Sequence, residues 1–142
     1  MYAALPDELP LGQTLAAARA AGKTVLWPRV LPGGWMLFAR ADRVEELRAG
    51  RYGVLEPAPT AVVETLGPDV LALVPGVAFD ERGGRLGRGG GIWDRALADA
   101  RGAVVFGVGY ELQIVEWIPR EPHDRSLDAL LTEVGIRRFG RS

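Results

Sequence analysis

The sequence predicts an α/β fold, a mainly parallel sheet flanked by helices. Two short apolar runs carry that reading, Asp69 to Val74 and Ala103 to Val108, each with the look of a strand buried on both faces. Between them lie a glycine-rich loop and a helical stretch, Trp93 to Arg101. Strand, loop, helix, strand is the order of a parallel α/β unit, and ligands of such sheets gather beyond the carboxyl ends of the strands. The loop after Val74 is therefore where function is expected.

The remaining elements follow from local pattern. Leu11 to Ala21 places apolar residues at 11, 15, 18 and 21 and meets Gly22 where a helix should stop. Lys23 to Trp27 is predicted as a strand ending before Pro28, followed by a turn at Pro32-Gly33-Gly34 and a second strand, Trp35 to Arg40. Asp42 is placed to cap a brief helix, Arg43 to Arg48. Gly50 to Pro59 is expected to be a loop, because Pro57 and Pro59 block a regular strand. A proline-bracketed segment, Ile118 to Pro122, and a short strand, Ala129 to Thr132, complete the chain.

Composition bounds the chemistry. The 142 residues are 48% hydrophobic and 25% charged, enough to bury the core of a single domain spanning 1–142. There is no cysteine and one histidine, which excludes thiolate catalysis, Cys-based zinc or iron–sulfur sites and multi-His metal sites. Any metal must be held by oxygen, as a hard cation such as Mg2+ is. A net charge of −1 argues against a nucleic-acid partner, and no apolar run approaches the length of about 20 residues that crosses a bilayer. A soluble, cytoplasmic protein without nucleic-acid or membrane partners, monomeric or weakly homodimeric, is expected. Of the 17 basic residues 16 are arginine, so anions are to be recognised by guanidinium groups rather than by lysine.

The loop from Asp80 to Asp94 concentrates the candidates. Glycines 83, 84, 87 and 89 to 91 let backbone amides approach an anion, Arg85 and Arg88 offer charge-assisted bonds to phosphate, and Leu86 is read as an apolar anchor. The helix beginning near Gly91 adds its positive end. Asp94 would oppose phosphate unless a cation lay between them, so the loop points to a magnesium–nucleotide complex. As plain structure, the same loop is a hairpin turn with solvated arginines; Asp94 is a helix-terminal charge, Asp124 a turn residue and Glu8 an ordinary capping acid.

The string Val74-Pro-Gly-Val-Ala-Phe-Asp80, followed by Arg85-Leu-Gly-Arg-Gly-Gly-Gly-Ile-Trp-Asp94, closely resembles the 5-formyltetrahydrofolate cyclo-ligase family. Asp7-Glu8, Gly22-Lys23, Pro28-Arg29, Glu56-Pro57, Gln113, Ile118-Pro119, His123-Asp124, Asp128 and Thr132-Glu133 agree with it. Members usually carry a further basic helix ahead of this region, two tyrosines where Ile92 and Trp93 stand, and a Thr at the position of Leu11.

The resemblance implies a fold of the sugar-phosphate isomerase/CoA-transferase-like group. It also implies the ATP-dependent cyclisation of 5-formyltetrahydrofolate to 5,10-methenyltetrahydrofolate with release of ADP and phosphate. ATP is then cradled by Arg85, Leu86, Gly87, Arg88, Gly89, Gly90, Gly91, Ile92 and Trp93, with Arg85 and Arg88 on the phosphates. Asp94 and Asp124 hold Mg2+. The reduced folate is met by Glu8, Met36, Tyr52, Arg88, Gly89 and Trp93, while His123 is expected to be a structural hydrogen-bond partner. The competing expectations are a nucleotide- and folate-binding module without turnover and, by fold analogy alone, a sugar-phosphate or CoA-ester enzyme.

Overall fold

The computed structural model describes residues 1, 4, 8–50, 53–122 and 124–140, and divides into two compact units, Met1–Thr65 and Leu66–Ser142. The first unit opens with helix α1 (Gly12–Ala20). Its end is a Schellman motif: Gly22, at φ +72°, donates to the Arg19 carbonyl, and Lys23 donates to that of Ala18. Strands β1 (Leu26–Leu31) and β2 (Trp35–Arg40) form an antiparallel hairpin, and β5 (Val63–Glu64) adds to the far side of β2. The hairpin turns through Gly33 and Gly34, both at positive φ, as the glycine pair demands. Leu15, Val25, Trp27, Ala41 and Leu47 make the core of this unit, and the Trp27 indole N–H donates to the Ala41 carbonyl at 2.9 Å.

Three local expectations are corrected here. β1 runs through Pro28 instead of stopping before it. Val30, of the same parity as Pro28, sends its N–H to the Glu56 carboxylate at 2.7 Å, outside the β1–β2 ladder, so the donor that Pro28 lacks also lies on the open edge. The helix expected over 43–48 is a single 3-10 turn, Val44–Glu46, preceded by extended Arg43 and without a side-chain cap. Asp42 takes no capping role there, and Arg48 leaves the turn to pair with Glu56 in a small ladder of β3 (Arg48–Ala49) and β4 (Leu55–Glu56). That ladder also places a short strand inside the expected loop 50–59.

The second unit is built on a four-stranded sheet in the order β11-β10-β9-β6. β6 (Leu71–Pro75), β9 (Val104–Val108) and β10 (Ala129–Leu131) are parallel, and β11 (Ile136–Arg138) closes the edge antiparallel to β10. Among the described residues the parallel ladders join only these three strands, with one isolated parallel bridge between Phe79 and Ile114; the other ladders are antiparallel, so the protein is mixed α/β rather than mainly parallel. Both apolar runs are strands as expected. Val74, Phe79, Leu97, Val105, Leu127 and Leu130 form the buried core, with Trp93 packed against it. Helix α2 (Ile92–Ala98) is shorter than the expected 93–101. Beyond it Gly102 takes φ +81°, and the Arg125 guanidinium gathers the carbonyls of Ala100 and Ala103. Among the described residues no helix is long and apolar enough to cross a membrane.

Glu56 anchors the first unit, and Gly50 makes room for it: a Cβ on Gly50 would stand 2.0 Å from the Glu56 carboxylate oxygen. Gly50→Ala is therefore expected to destabilise the chain by about 1–3 kcal/mol, since the methyl displaces the acceptor of the Val30 N–H. Urea unfolding of the two proteins at pH 7 measures it; an unchanged midpoint would mean that Glu56 relocates at no cost.

Candidate functional site

The glycine loop hangs from one buried carboxylate. Asp80, 1% exposed, follows strand β7 (Ala78–Phe79), and its Oδ1 accepts the N–H groups of Arg82 at 2.9 Å and Gly84 at 2.8 Å. Its Oδ2 accepts the Ile118 N–H at 2.9 Å, so one side chain closes the turn 80–84 and ties it to the segment 114–118. Gly84 has to be a glycine because a Cβ there would lie 2.5 Å from Oδ2, and Gly83, at φ +84°, would press a Cβ to 2.9 Å from the Leu127 carbonyl. Burial pushes the Asp80 carboxyl up, but the bonds from Gly84, Arg82 and Ile118 and the nearby Arg120 charge outweigh it. The group is held below the ordinary carboxylate range.

The turn delivers strand β8 (Arg85–Leu86), paired antiparallel with β7 so that Arg85 stands opposite Phe79 and Leu86 opposite Ala78. That register decides which side chain goes inside. Arg85 shares the face of fully buried Phe79, and its side chain is 6% exposed, whereas Leu86 is 48% exposed. Leu86 is therefore no apolar anchor; it is its backbone carbonyl that holds, accepting the Val77 N–H at 2.7 Å.

Arg85 is fixed at both ends of its guanidinium. Nε donates to the Pro75 carbonyl at the end of β6, 2.7 Å away, and Nη1 donates to Oδ1 of Asp94 at 3.2 Å. Gly87 lies against the same group, since a Cβ there would be 3.2 Å from Nη2. Burial lowers the affinity of Arg85 for its proton and the Asp94 carboxylate opposes that shift, while the guanidinium stays charged. The cation that the sequence demanded beside Asp94 is thus, in this structure, Arg85 itself.

The other candidates are placed as follows. Arg88, Gly89 and Gly90 are exposed, and Gly91 precedes α2 at φ +64°. Ile92 and Trp93 are half-buried on the first turn of α2. Asp94 is half exposed, and Asp124 accepts the Glu121 N–H on Oδ2 at 2.8 Å in the turn it was expected to occupy. Glu8 and Met36 belong to the first unit, both half-buried, with Met36 on β2. Tyr52 and His123 lie outside the described residues. Among the described residues no three His, Cys, Asp or Glu side chains cluster as a ready metal site. The carboxylates of Asp94 and Asp124 suit a hard cation in kind, and one bound by two protein oxygens would complete its shell from phosphate and water, as Mg2+ does.

Two residues of this region were given no role by sequence reasoning. Asp80 carried a signal, an Asp two residues before the N–H it accepts and shortly before a glycine pair, the mark of an Asx turn. Gln113, on a 3-10 turn (Glu111–Gln113) after β9, agrees with the family pattern but carried no local sign of its contacts, because its partners Gly76 and Val77 stand more than 30 residues away in the chain.

Asp80→Asn is expected to lower the unfolding free energy at pH 7 by about 1–3 kcal/mol, because an amide cannot accept all three N–H groups. The folded carboxyl titrates below its unfolded value, so this contribution is complete above about pH 4 and is lost as pH falls through the folded value. Urea titrations at pH 7 and pH 3 should show the gap between variant and parent narrowing at the lower pH; a gap independent of pH would assign the loss to packing instead.

Comparison with known proteins accords with this geometry. The model of the 5-formyltetrahydrofolate cyclo-ligase family matches residues 1–133. The chain is 41% identical over 88 residues to the 5-formyltetrahydrofolate cyclo-ligase of Mycolicibacterium smegmatis, covering 61% of this chain and 45% of that protein. It is 39% identical over 118 residues to that of Escherichia coli, covering 79% and 64%. The chain therefore spans about half to two thirds of the length of these relatives. Among solved structures, the NMR structure of Aquifex aeolicus 5,10-methenyltetrahydrofolate synthetase superposes with a TM-score of 0.79 at 32% identity, over 99% of this chain and 72% of that one. The Mycoplasma pneumoniae 5,10-methenyltetrahydrofolate synthetase, at 19% identity and a TM-score of 0.68 over 92% and 69%, shares the fold. With the Phe79-Asp80 turn, the Arg85 strand and the glycine loop in the arrangement described, the chain belongs to the 5-formyltetrahydrofolate cyclo-ligase family.

Proposed function

We propose that this chain carries out the ATP-dependent cyclisation of 5-formyltetrahydrofolate to 5,10-methenyltetrahydrofolate, releasing ADP and phosphate. The observation that carries the reading is the buried guanidinium of Arg85, fixed by Pro75 and Asp94 at the root of the loop 87–91. A pre-oriented cation beside side-chain-free backbone suits the phosphates of a nucleotide. The family match across residues 1–133 supports treating 1–142 as one cyclo-ligase-like domain. The parallel β6, β9 and β10 support the wider likeness to the sugar-phosphate isomerase/CoA-transferase-like group.

The formamide oxygen of the substrate is a poor leaving group. Transfer of the γ-phosphoryl group onto it gives an imidate phosphate, N10 attacks the carbon and gives up its proton to solvent, and phosphate departs with the oxygen. The protein then has to position and to stabilise charge, work that needs no Cys or His. Arg85 and Arg88 bind the phosphates, and residues 86–93 close round the nucleotide. Asp94 and Asp124 would hold Mg2+, which supplies charge neutralisation of the phosphates when bound. The reduced folate is assigned to Glu8, Met36 and Tyr52 together with Arg88, Gly89 and Trp93. The proposed address is the cytoplasm.

A second reading, a nucleotide- and folate-binding module without turnover, draws support from the Arg85–Asp94 pair, in which each group already partners the other. Methenyltetrahydrofolate absorbance after mixing the chain with 5-formyltetrahydrofolate and MgATP separates the two: growth with many turnovers is expected, and none at any enzyme concentration would leave only binding.

Arg85→Ala should abolish most of the thermal shift that MgATP produces, each protein being compared with its own nucleotide-free midpoint, and Arg85→Lys should restore part of it. Equal shifts in parent and Arg85→Ala would remove Arg85 from the phosphate site. Asp94→Asn and Asp124→Asn should each weaken Mg-dependent ATP binding, and the double variant should lose less than the sum if the two share one cation. Strict additivity would give them separate roles.

A further inference from the structure

Gln113 makes contacts that the proposed chemistry does not use. Its Oε1 accepts the Tyr110 N–H at 2.7 Å, while Nε2 donates to the carbonyls of Gly76 at 2.8 Å and Val77 at 3.1 Å. The side chain thus bridges the loop that follows β9 to the loop that follows β6. Gly109 admits it, since a Cβ there would stand 2.8 Å from its Oε1, while Gly76 clears the Phe79 ring and Cγ of Arg85, to which a Cβ would come within 2.8 Å and 3.2 Å. The next carbonyl back along the chain, that of Pro75, accepts Nε of Arg85. Three successive carbonyls, 75 to 77, are therefore taken by side-chain donors, one by Arg85 and two by Gln113. The Val77 N–H is bonded to Leu86, the neighbour of Arg85.

We propose that Gln113 is a positioning residue: by holding the Gly76 and Val77 carbonyls it orients the Pro75 carbonyl, and through it the Arg85 guanidinium, toward bound phosphate. Without those two bonds the peptide planes at 76 and 77 can rotate, and the Pro75 carbonyl loses the fixed direction that Nε of Arg85 requires, about 3 Å and near-linear. The part of this inference that concerns phosphate rests on the reading of Arg85 as a nucleotide ligand. The part that concerns Arg85 itself does not.

The test has two readouts on the 142-residue chain. Hydrogen exchange of the Arg85 Nε–H, followed by NMR, reports its bond to Pro75 directly. Gln113→Met, of similar length and without donors, should speed that exchange at least tenfold while the indole N–H of Trp27 in the first unit is unchanged. Gln113→Glu, which keeps the acceptor for Tyr110 and loses both donors, should do the same if Gln113→Met fails to fold. An unchanged Arg85 rate in the folded variants overturns the proposal. For nucleotide, Gln113→Met should weaken MgATP binding about tenfold in the parent and less than twofold in an Arg85→Ala background. Equal losses in both backgrounds mean that Gln113 does not act through Arg85 and also overturn it. If the parent chain binds no MgATP, the nucleotide reading fails on its own account, and the exchange rate alone decides whether Gln113 positions Arg85.

Discussion

The second unit depends on the Asp80 carboxylate. An ionised group taken out of water is tolerable only when its lone pairs are satisfied, and here three backbone N–H groups from Arg82, Gly84 and Ile118 do so. Because the donors come from the turn and from a segment nearly forty residues later, satisfying one charge also fixes the direction in which the chain leaves the turn. Strand β8 inherits that direction, and with it the burial of Arg85 and the exposure of Leu86. The glycines at 83 and 84 are the steric condition for this: a Cβ on Gly84 would stand 2.5 Å from the Asp80 carboxylate, and one on Gly83 would stand 2.9 Å from the Leu127 carbonyl.

A second constraint acts on the same strand ends. Phe79 is fully buried, and a Cβ on Gly76, Gly107 or Gly109 would come within 2.9 Å of its ring. Glycine at these three positions lets the ring lie against the ends of β6 and β9, where an α/β sheet presents its ligands. Packing and polar chemistry are therefore coupled here. Gly76 gives the ring room and its carbonyl to Gln113, while Gly109 gives the ring room and admits the Gln113 amide. What holds the core together also aims the carbonyls around Arg85.

The Arg85–Asp94 pair brings together a buried cation and a half-exposed carboxylate. A guanidinium this buried needs an ionic partner, and among the described residues Asp94 on α2 supplies it, which links the loop 87–91 at its two ends through an ion pair. The loop between can then consist almost entirely of small residues, since its shape is imposed from outside by Arg85 before it and Asp94 after it. In the first unit a comparable economy holds: buried Glu56 takes the N–H of Val30 on the open edge of β1, and the edge tolerates Pro28.

By itself the sequence determined the periodic and the punctuated elements. α1 with its Gly22 stop, the hairpin at Gly33-Gly34 and the two apolar strands were legible because apolar spacing and glycine conformation act over a few residues. The composition of the glycine-rich loop was legible for the same reason. Its interior was not: Leu86 was expected to be an apolar anchor and is exposed, while Arg85 is buried, as follows from the β7–β8 register, which places Arg85 opposite Phe79. Nor could spacing reveal β5 and β11, two or three residues long and without an apolar face of their own, or the 3-10 turn at 44–46, which gives way to the β3–β4 ladder. Tertiary structure alone decided that Arg85 is the cation beside Asp94 and that Gln113 reaches Gly76 and Val77. Such contacts join residues nine to thirty-seven positions apart, and no local preference selects among the partners a charge or an amide could find at that range.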